Sequence, residues 1–305
     1  METPNKPPVA SMAPFLFKNL GLDGDEANQS TFVLPSLGPR LKKLAKELHH
    51  GRGFVVISGL DRNKYSMEDN TLVFLGVGAY IGEIRGMQTD DGSMFAHARD
   101  AKKMEVVQVD RPIKDSNRAA AFHNDLCTDI IAMQTGNSAE SGGDQLIVSM
   151  TRIHNELLKT RPDIVTVLMK PDWPLDLIIP DALYGFENVP RAPGLATLTA
   201  VQISALEEVQ TLAQRFKHSL PTRKGDLTFI NNFAVLHTRE AFEDSKQNKR
   251  YLVRMWLKNE ELAWKIPPPL RLGNEMVFYD EKLQKMWNLM PVARTMFDVY
   301  ERSAP

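Results

Sequence analysis

Residues 225–237, GDLTFINNFAVLH, read as a strand that follows a Gly-Asp turn and ends on a histidine. A second strand pattern, RYLVRMWLK at residues 250–258, alternates strictly between two sets of side chains. The polar stretch TREAFEDSKQNK connects the two patterns. Two strands in sequence near the end of the chain predict a fold that is built on a β core.

The residues before these strands predict helices interspersed with strands. Helices are predicted at 40–50, from Ser66 onwards, and at 151–169 with an interruption before Pro162; strands are predicted at 54–59, 104–109 and 144–149. The chain has no GxGxxG or GxxxxGK[ST] motif after a strand, which disfavours a doubly wound parallel sheet. We therefore expect an α+β fold, with an irregular arm at 1–30 and a single domain at 31–305. The proline-rich segment 171–195 is expected to be either a lid or an irregular excursion.

Composition excludes several classes of protein. The 305 residues are 43% hydrophobic, and 37 Lys and Arg balance 38 Asp and Glu, so no basic excess favours nucleic acid. The N-terminus lacks a signal-peptide pattern and no window is apolar enough for a membrane span, which predicts a cytoplasmic protein. Because Cys127 is the only cysteine, disulfides and multi-thiolate metal sites are excluded, and a metal would need His and carboxylate ligands.

The stretch FHND, residues 122–125, carries a candidate metal-binding pair. In an extended strand, His123 and Asp125 project to the same face and can reach one point. His237, at the end of an apolar strand, is the best candidate for a third ligand. Two histidines and one carboxylate form the facial triad of non-haem Fe(II) oxygenases, which leaves coordination positions open. The alternative is that these histidines are ordinary hydrogen-bonded or exposed residues.

Two arginines on the last strand suggest an anion site. Arg250 and Arg254 share a face with Trp256, while the apolar residues between them cover the other face. A solvent-facing row is one interpretation. The other is a pair of guanidinium groups that face a pocket and bind a carboxylate such as 2-oxoglutarate, since a buried arginine without an anion is costly.

Taken in order, FHND, GGDQLIVS with TRIHNELLKTRPD, GDLTFINNFAVLH and RYLVRMWLKNEELAW resemble the conserved blocks of the taurine dioxygenase and clavaminate synthase-like family. The resemblance spans about residues 50–270 and looks closest to fungal members associated with secondary metabolism. It implies a distorted double-stranded β-helix, or jelly roll, flanked by helices. It also implies dependence on Fe(II), 2-oxoglutarate and O2.

The same resemblance assigns roles to individual residues. It implies that His123, Asp125 and His237 are the iron ligands and that Arg250 binds the distal carboxylate of 2-oxoglutarate. It further implies that Arg254 binds co-substrate or substrate, that Ser149 or Thr151 supplies a hydroxyl to the co-substrate, and that Asn124 contacts substrate.

The implied reaction oxidises an unactivated C–H bond of a small metabolite, with release of succinate and CO2. The second arginine favours an amino acid or another carboxylate-bearing substrate; hydroxylation, desaturation and cyclisation stay open. Two rival functions are a hydrolase that uses Cys127 with His237 and a non-catalytic jelly-roll binding protein. The C-terminal stretch MWNLMPVARTMFDVY, residues 286–300, suits either a core or an interface, so both a monomer and an oligomer are compatible with the sequence.

Overall fold

The computed structural model describes residues 23–89, 92–101, 113–125, 127–170, 172–173 and 197–291. The helices in these residues are α1 Gly38–His50, α2 Met67–Gly78, α3 Met150–Thr160, α4 Pro162–Leu168, α5 Ala200–Phe216 and α6 Pro268–Tyr279. The strands are β1 Phe54–Ile57, β2 Ile84–Gly86, β3 Ala96–Arg99, β4 Ile130–Asn137, β5 Ser141–Gly142, β6 Gln145–Ser149, β7 His218–Leu220, β8 Leu227–Asn231, β9 Val235–Arg239, β10 Phe242–Glu243 and β11 Tyr251–Lys258. The predicted strand at 104–109 and nearly all of segment 171–195 lie outside the described residues, as do residues 1–22 of the predicted arm.

Helices α1 to α4 follow the start and stop signals in the sequence. Helix α1 is followed by Gly51, and α2 begins after Ser66, whose hydroxyl accepts a hydrogen bond from the Asp69 amide at 3.0 Å. The helix predicted at 151–169 is divided into α3 and α4, because Pro162 lacks an amide proton and fits only the first turn of a helix. These predictions are confirmed.

A six-stranded antiparallel sheet forms one half of the β core. Its strand order is β1-β8-β4-β11-β2, and β3 pairs with the other half of the β11 edge that β2 occupies. The alternation predicted for β11 is confirmed: Met255 and Leu257 pack into the hydrophobic core near α2, whereas Arg254 and Trp256 point to the opposite face. One face of β11 thus stabilises the fold, and the other carries polar groups.

The prediction of one continuous strand at 225–237 is wrong. The stretch contains β8 in the six-stranded sheet and β9 in a second antiparallel sheet of order β7-β6-β9, joined by a turn at 232–234. The side-chain oxygen of Asn231 accepts a hydrogen bond from the Phe233 amide at 3.0 Å, as is typical of Asn at tight turns. This turn brings His237 into a different sheet from the strand that precedes it.

The second sheet packs against helices α3, α4 and α5. Leu146, Val148 and Leu236 form an apolar cluster with residues of these helices, which is separate from the main core. The arrangement confirms an α+β fold with antiparallel sheets and flanking helices. The single domain at 31–305 stays a prediction.

Trp287 and Leu289 of the C-terminal stretch are buried in the main core, and residues 292–300 of that stretch lie outside the described part of the chain. Among the described helices, none has the length and apolar character needed to span a membrane.

Candidate metal centre

The three side chains of the predicted triad lie together in a buried cluster. His123 Nε2 lies 3.8 Å and His237 Nε2 lies 3.7 Å from the same oxygen, Oδ1 of Asp125. The ligand atoms are all within 4.8 Å of one another, and the imidazole centroids are 4.2 Å apart. The fold holds the two histidines side by side because the backbones of His123 and His237 exchange hydrogen bonds of 3.0 and 2.9 Å. We refer to these residues as the His–Asp–His cluster.

Both imidazoles are set up as neutral ligands. His123 Nδ1 lies 2.9 Å from the carbonyl oxygen of Ala121, which can only accept, so the proton resides on Nδ1 and Nε2 presents a lone pair. Burial, and next the neighbouring His237, lower the pKa of His123. Burial also lowers the pKa of His237. Two deprotonated imidazole nitrogens next to a carboxylate oxygen form the kind of donor set that a divalent metal ion requires.

Asp125 divides its two oxygens between different tasks. Oδ1 faces the histidines, while Oδ2 accepts a hydrogen bond from Trp256 Nε1 and forms an ion pair with Arg254 Nη1, both at 2.8 Å. Burial by itself raises the pKa of Asp125, but opposing interactions, led by the charge of Arg254, outweigh burial, so the pKa lies below its ordinary value. The carboxylate is therefore ionised and fixed in orientation before any metal binds.

The backbone around Asp125 is held by Asn232 at the β8–β9 turn. The side-chain oxygen of Asn232 accepts a hydrogen bond from the Asp125 amide at 2.9 Å, and its Nδ2 donates to the carbonyls of Asp125 and Thr128 at 2.6 and 2.9 Å. The turn that ends β8 thus positions the metal-binding loop as well as His237.

Arg250 lies in a buried polar site immediately before β11, the strand that carries Arg254 and Trp256. Only 3% of it is exposed, its Nε donates to the Gly143 carbonyl at 3.1 Å, and its Nη1 is buried with no partner among the described residues. Burial, followed by the charge of Arg239, lowers the pKa of Arg250 to about 9. The ring of Phe242 lies between the two guanidinium groups, with centroid distances of 4.9 Å to Arg239 and 5.3 Å to Arg250. A buried guanidinium that keeps one unpartnered nitrogen next to a second positive charge favours the binding of an anion.

Both glycines of the GGD motif are required by the backbone, and Gly143 also makes room for Arg250. Gly143 has φ +80°, and a Cβ there would lie 2.9 Å from Arg250 Cδ. Gly142 has φ +68°, and a Cβ there would lie 2.3 Å from the Ala241 carbonyl oxygen. Both positions therefore require glycine for conformation and for close approach.

Three predicted site residues are not brought to these groups. Ser149 lies at the exposed end of β6, where its hydroxyl caps α3 by accepting from the Arg152 amide, and Thr151 is exposed in the first turn of α3. Ser149 is six residues along the chain from Gly143, a span of about 20 Å in extended chain. Asn124 Nδ2 donates to the Asn232 and Val235 carbonyls, so this amide holds the backbone.

Two polar residues that have unpartnered buried atoms within the described residues were not identified from the sequence. Thr135, the cross-strand neighbour of Leu252, has a buried hydroxyl without a partner among the described residues. Gln88 accepts from Arg254 Nε at 3.0 Å, while its own Nε2 is buried and unpartnered in the described part of the chain. No motif marks either position.

Cys127 does not have the properties of a nucleophile. It is buried, and burial raises the pKa of its thiol to about 11. His237 directs Nε2 at Asp125. A thiolate and base pair is thus not formed, and the hydrolase interpretation is not supported.

A His–Asp–His cluster between two antiparallel sheets is typical of mononuclear non-haem iron oxygenases. The sequence model of the family described as "Taurine catabolism dioxygenase TauD, TfdA family" matches residues 17–178 and 180–256. The chain belongs to this family. It is therefore an oxidoreductase, a dioxygenase that depends on Fe(II), 2-oxoglutarate and O2.

Two curated proteins are similar in sequence. The "Taurine hydroxylase-like protein SAT17" of Stachybotrys chartarum is 32% identical over 309 residues, covering 90% of this chain and 80% of that protein. The "FR-33289 synthase" of Streptomyces rubellomurinus is 22% identical over 271 residues, covering 79% of each chain. The first similarity agrees with the predicted resemblance to fungal members of the family.

Solved structures with low sequence identity share the fold. Asparagine oxygenase, in complex with Fe(II), 3-hydroxyasparagine and succinate, gives a TM-score of 0.58 at 15% identity, covering 77% of this chain and 83% of that chain. The non-haem iron oxygenase OrfP, in complex with Fe and alpha-ketoglutaric acid, gives 0.56 at 14% identity, covering 82% and 88%.

Proposed function

We propose that this dioxygenase oxidises an unactivated C–H bond of a small amino acid or other carboxylate-bearing metabolite, with release of succinate and CO2. The observation that carries the proposal is the unpartnered Nη1 of Arg250, which immediately precedes β11, the strand whose Arg254 and Trp256 contact Asp125. Arg250 and Arg254 are four residues apart, about 13 Å along a strand, a distance that an arginine side chain and a five-carbon diacid span together. The sheets on either side of the cluster support a distorted double-stranded β-helix in a single domain at 31–305.

The donor set of the His–Asp–His cluster fits Fe(II). The Nη1 group of Arg250, which has no partner among the described residues, fits a carboxylate co-substrate. His123, Asp125 and His237 would hold the metal through two neutral imidazole nitrogens and one carboxylate oxygen. When bound, the iron and 2-oxoglutarate supply the oxidising power, through O2 activation coupled to oxidative decarboxylation to succinate and CO2. The remaining steps of the reaction depend on positioning by the protein.

Arg250 would bind the distal carboxylate of 2-oxoglutarate. Its buried position makes this interaction strong because water does not compete, and the anion relieves the repulsion between Arg250 and Arg239. Thr135 pairs with Leu252, on the face of the sheet that carries Arg254, and its buried hydroxyl has no partner among the described residues. We therefore assign to Thr135 the role suggested for Ser149 or Thr151, which is to supply a hydroxyl to the co-substrate. The exposed positions of Ser149 and Thr151 give no support to a role in the site.

Arg254 and Gln88 would face the substrate. Arg254 is tied to Asp125 by Nη1 and to Gln88 by Nε, and the free Nε2 of Gln88 can donate to a carboxylate or carbonyl group. Amino-acid products occur in the complexes of asparagine oxygenase and OrfP with hydroxylated asparagine and arginine, which supports an amino-acid substrate here. Mass spectrometry of the product separates hydroxylation from desaturation or cyclisation.

The decisive experiment compares co-substrate binding in two arginine variants. Arg250→Lys keeps the charge but loses the planar pair of donors, so we expect the 2-oxoglutarate concentration for half-saturation to rise roughly tenfold to hundredfold, the equivalent of about 1.5–3 kcal/mol. Binding is followed anaerobically by the charge-transfer absorption of the Fe(II) complex. Arg215→Lys, in an exposed arginine stacked on Phe216, is the matched control and should titrate like the original chain. Unchanged binding in Arg250→Lys would remove Arg250 from the co-substrate site.

A further inference from the structure

A mainly apolar cleft that also carries cationic groups lies on the face of β11 opposite to Arg254 and Trp256. It has a volume of about 510 Å³, and Tyr251 and Gly136 form its floor. Tyr251 belongs to the face that points away from the His–Asp–His cluster, as its contact with His97 shows: Tyr251 Oη and His97 Nδ1 are 2.6 Å apart. The cleft is therefore separate from the proposed co-substrate site.

Two positive charges line this cleft, and neither has a negative partner among the residues that the structure describes. Arg62 forms no ion pair within the described residues, its Nε is buried and unpartnered there, and burial lowers its pKa. Lys224 Nζ donates to the neutral side-chain oxygen of Asn63 at 2.6 Å. A partly buried guanidinium and an ammonium group on one cleft, with no compensating carboxylate in the described part of the chain, favour the binding of an anion.

The position of Arg62 depends on Gly136. A Cβ at Gly136 would lie 2.7 Å from Arg62 Nη1 and 2.5 Å from Tyr251 Cδ1. Glycine thus allows the guanidinium to lie directly against the strand, beside the aromatic ring. Gly136 also falls where the pairing of β4 with β11 is irregular, between the partners of Tyr251 and Leu252.

The rest of the lining determines the kind of anion. Met67, Met290, Pro291 and the ring of Tyr251 give the cleft an apolar wall. The hydroxyl of Tyr251 is already bonded to His97, so Tyr251 contributes its ring. An apolar wall next to two cationic groups suits a ligand with a compact apolar body and one charged end.

We propose that this cleft binds a small carboxylate with an apolar body, held by Arg62 and Lys224. The ligand is distinct from 2-oxoglutarate, whose proposed partner Arg250 lies on the other face of β11. The proposal does not depend on the metal or on the proposed reaction, because none of the lining residues belongs to the His–Asp–His cluster.

The test is calorimetric titration with benzoate of the full chain, preloaded anaerobically with Fe(II) and saturating 2-oxoglutarate so that the Arg250 site is filled. We expect saturable binding at one site, and binding at least about tenfold weaker in Arg62→Gln and in Lys224→Gln, since each loses a charge-assisted hydrogen bond. Lys64→Gln is the matched control: Lys64 is exposed, pairs with Asp61 and does not line the cleft, so its binding should be unchanged.

Further arms of the experiment separate the alternatives. Inorganic phosphate lacks an apolar body and should bind much more weakly than benzoate; phosphate that binds equally well would overturn the assignment to a carboxylate. Absence of saturable binding, or an affinity in both cleft variants equal to that of the original chain, would overturn the site itself. Metal-free Arg250→Lys protein should still bind benzoate, so a failure of the proposed co-substrate site is distinguished from a failure of this one.

Discussion

Replacing Trp256 with Phe removes one donor from the carboxylate that we assign to the metal. In the structure, Trp256 Nε1 donates to Asp125 Oδ2 at 2.8 Å, and only 5% of Asp125 is exposed. The loss of a hydrogen bond to a charged, buried group costs about 1.5–3 kcal/mol. At about 1.4 kcal/mol per factor of ten, Fe(II) affinity should fall roughly tenfold to hundredfold, because Asp125 is then held by Arg254 alone.

The assay is anaerobic titration of the metal-free protein with Fe(II) at saturating 2-oxoglutarate, followed by absorption. Trp264→Phe is a matched control, since Trp264 Nε1 donates to the His49 carbonyl at 3.0 Å, and that bond does not involve the His–Asp–His cluster. We expect Trp264→Phe to bind Fe(II) like the original chain. Equal Fe(II) affinity in Trp256→Phe and the original chain would refute the idea that the indole positions the ligand.

Three further changes have defined outcomes. His237→Ala should abolish Fe(II)-dependent decarboxylation of 2-oxoglutarate while circular dichroism stays unchanged; normal succinate release would exclude His237 as a ligand. Cys127→Ser should remain active in the same succinate assay, since the buried thiol has no role in the proposed reaction, and a folded, iron-binding but inactive variant would contradict this. Burial lowers the pKa of His97 to about 4, below the ordinary 6.5, so the unfolded chain binds the extra proton first and stability falls as the pH falls from 6.5 towards 4. His97→Gln should therefore reduce the loss of unfolding free energy between pH 7 and pH 5 by about 2 kcal/mol in urea titrations, and an unchanged loss would show that His97 is protonated equally in both states.

The fold was predictable where local sequence determines local structure. Helix α2 could be located from Ser66, and the division between α3 and α4 from Pro162, because caps and prolines act within one turn of a helix. The division of 225–237 between two sheets was not predictable from its apolar pattern. Alternation is the same in both strands, and the turn depends on contacts that Asn232 makes with residues more than 100 positions away.

The candidate site follows the same rule. His123, Asp125 and His237 could be proposed from short patterns and a family resemblance, and the structure brings all three together. The contact of Arg254 with Asp125 was not foreseen, since the spacing of two arginines on a strand indicates a shared face but not the partner of either. A hydroxyl such as Thr135 carries no motif and becomes visible only as an unpartnered buried group.

The central place of β11 has a consequence for how the protein is made. This strand, Tyr251–Lys258, is the last of the described strands in the chain, yet it lies between β4 and the β2 and β3 edge and carries Arg254 and Trp256. During synthesis, β2, β3 and β4 therefore cannot complete their pairing until β11 has been translated. Such long-range pairing is slow. Asp125 acquires its contacts with Arg254 and Trp256 only after that pairing. The metal centre is therefore completed in the final stage of folding and not while the chain is still growing.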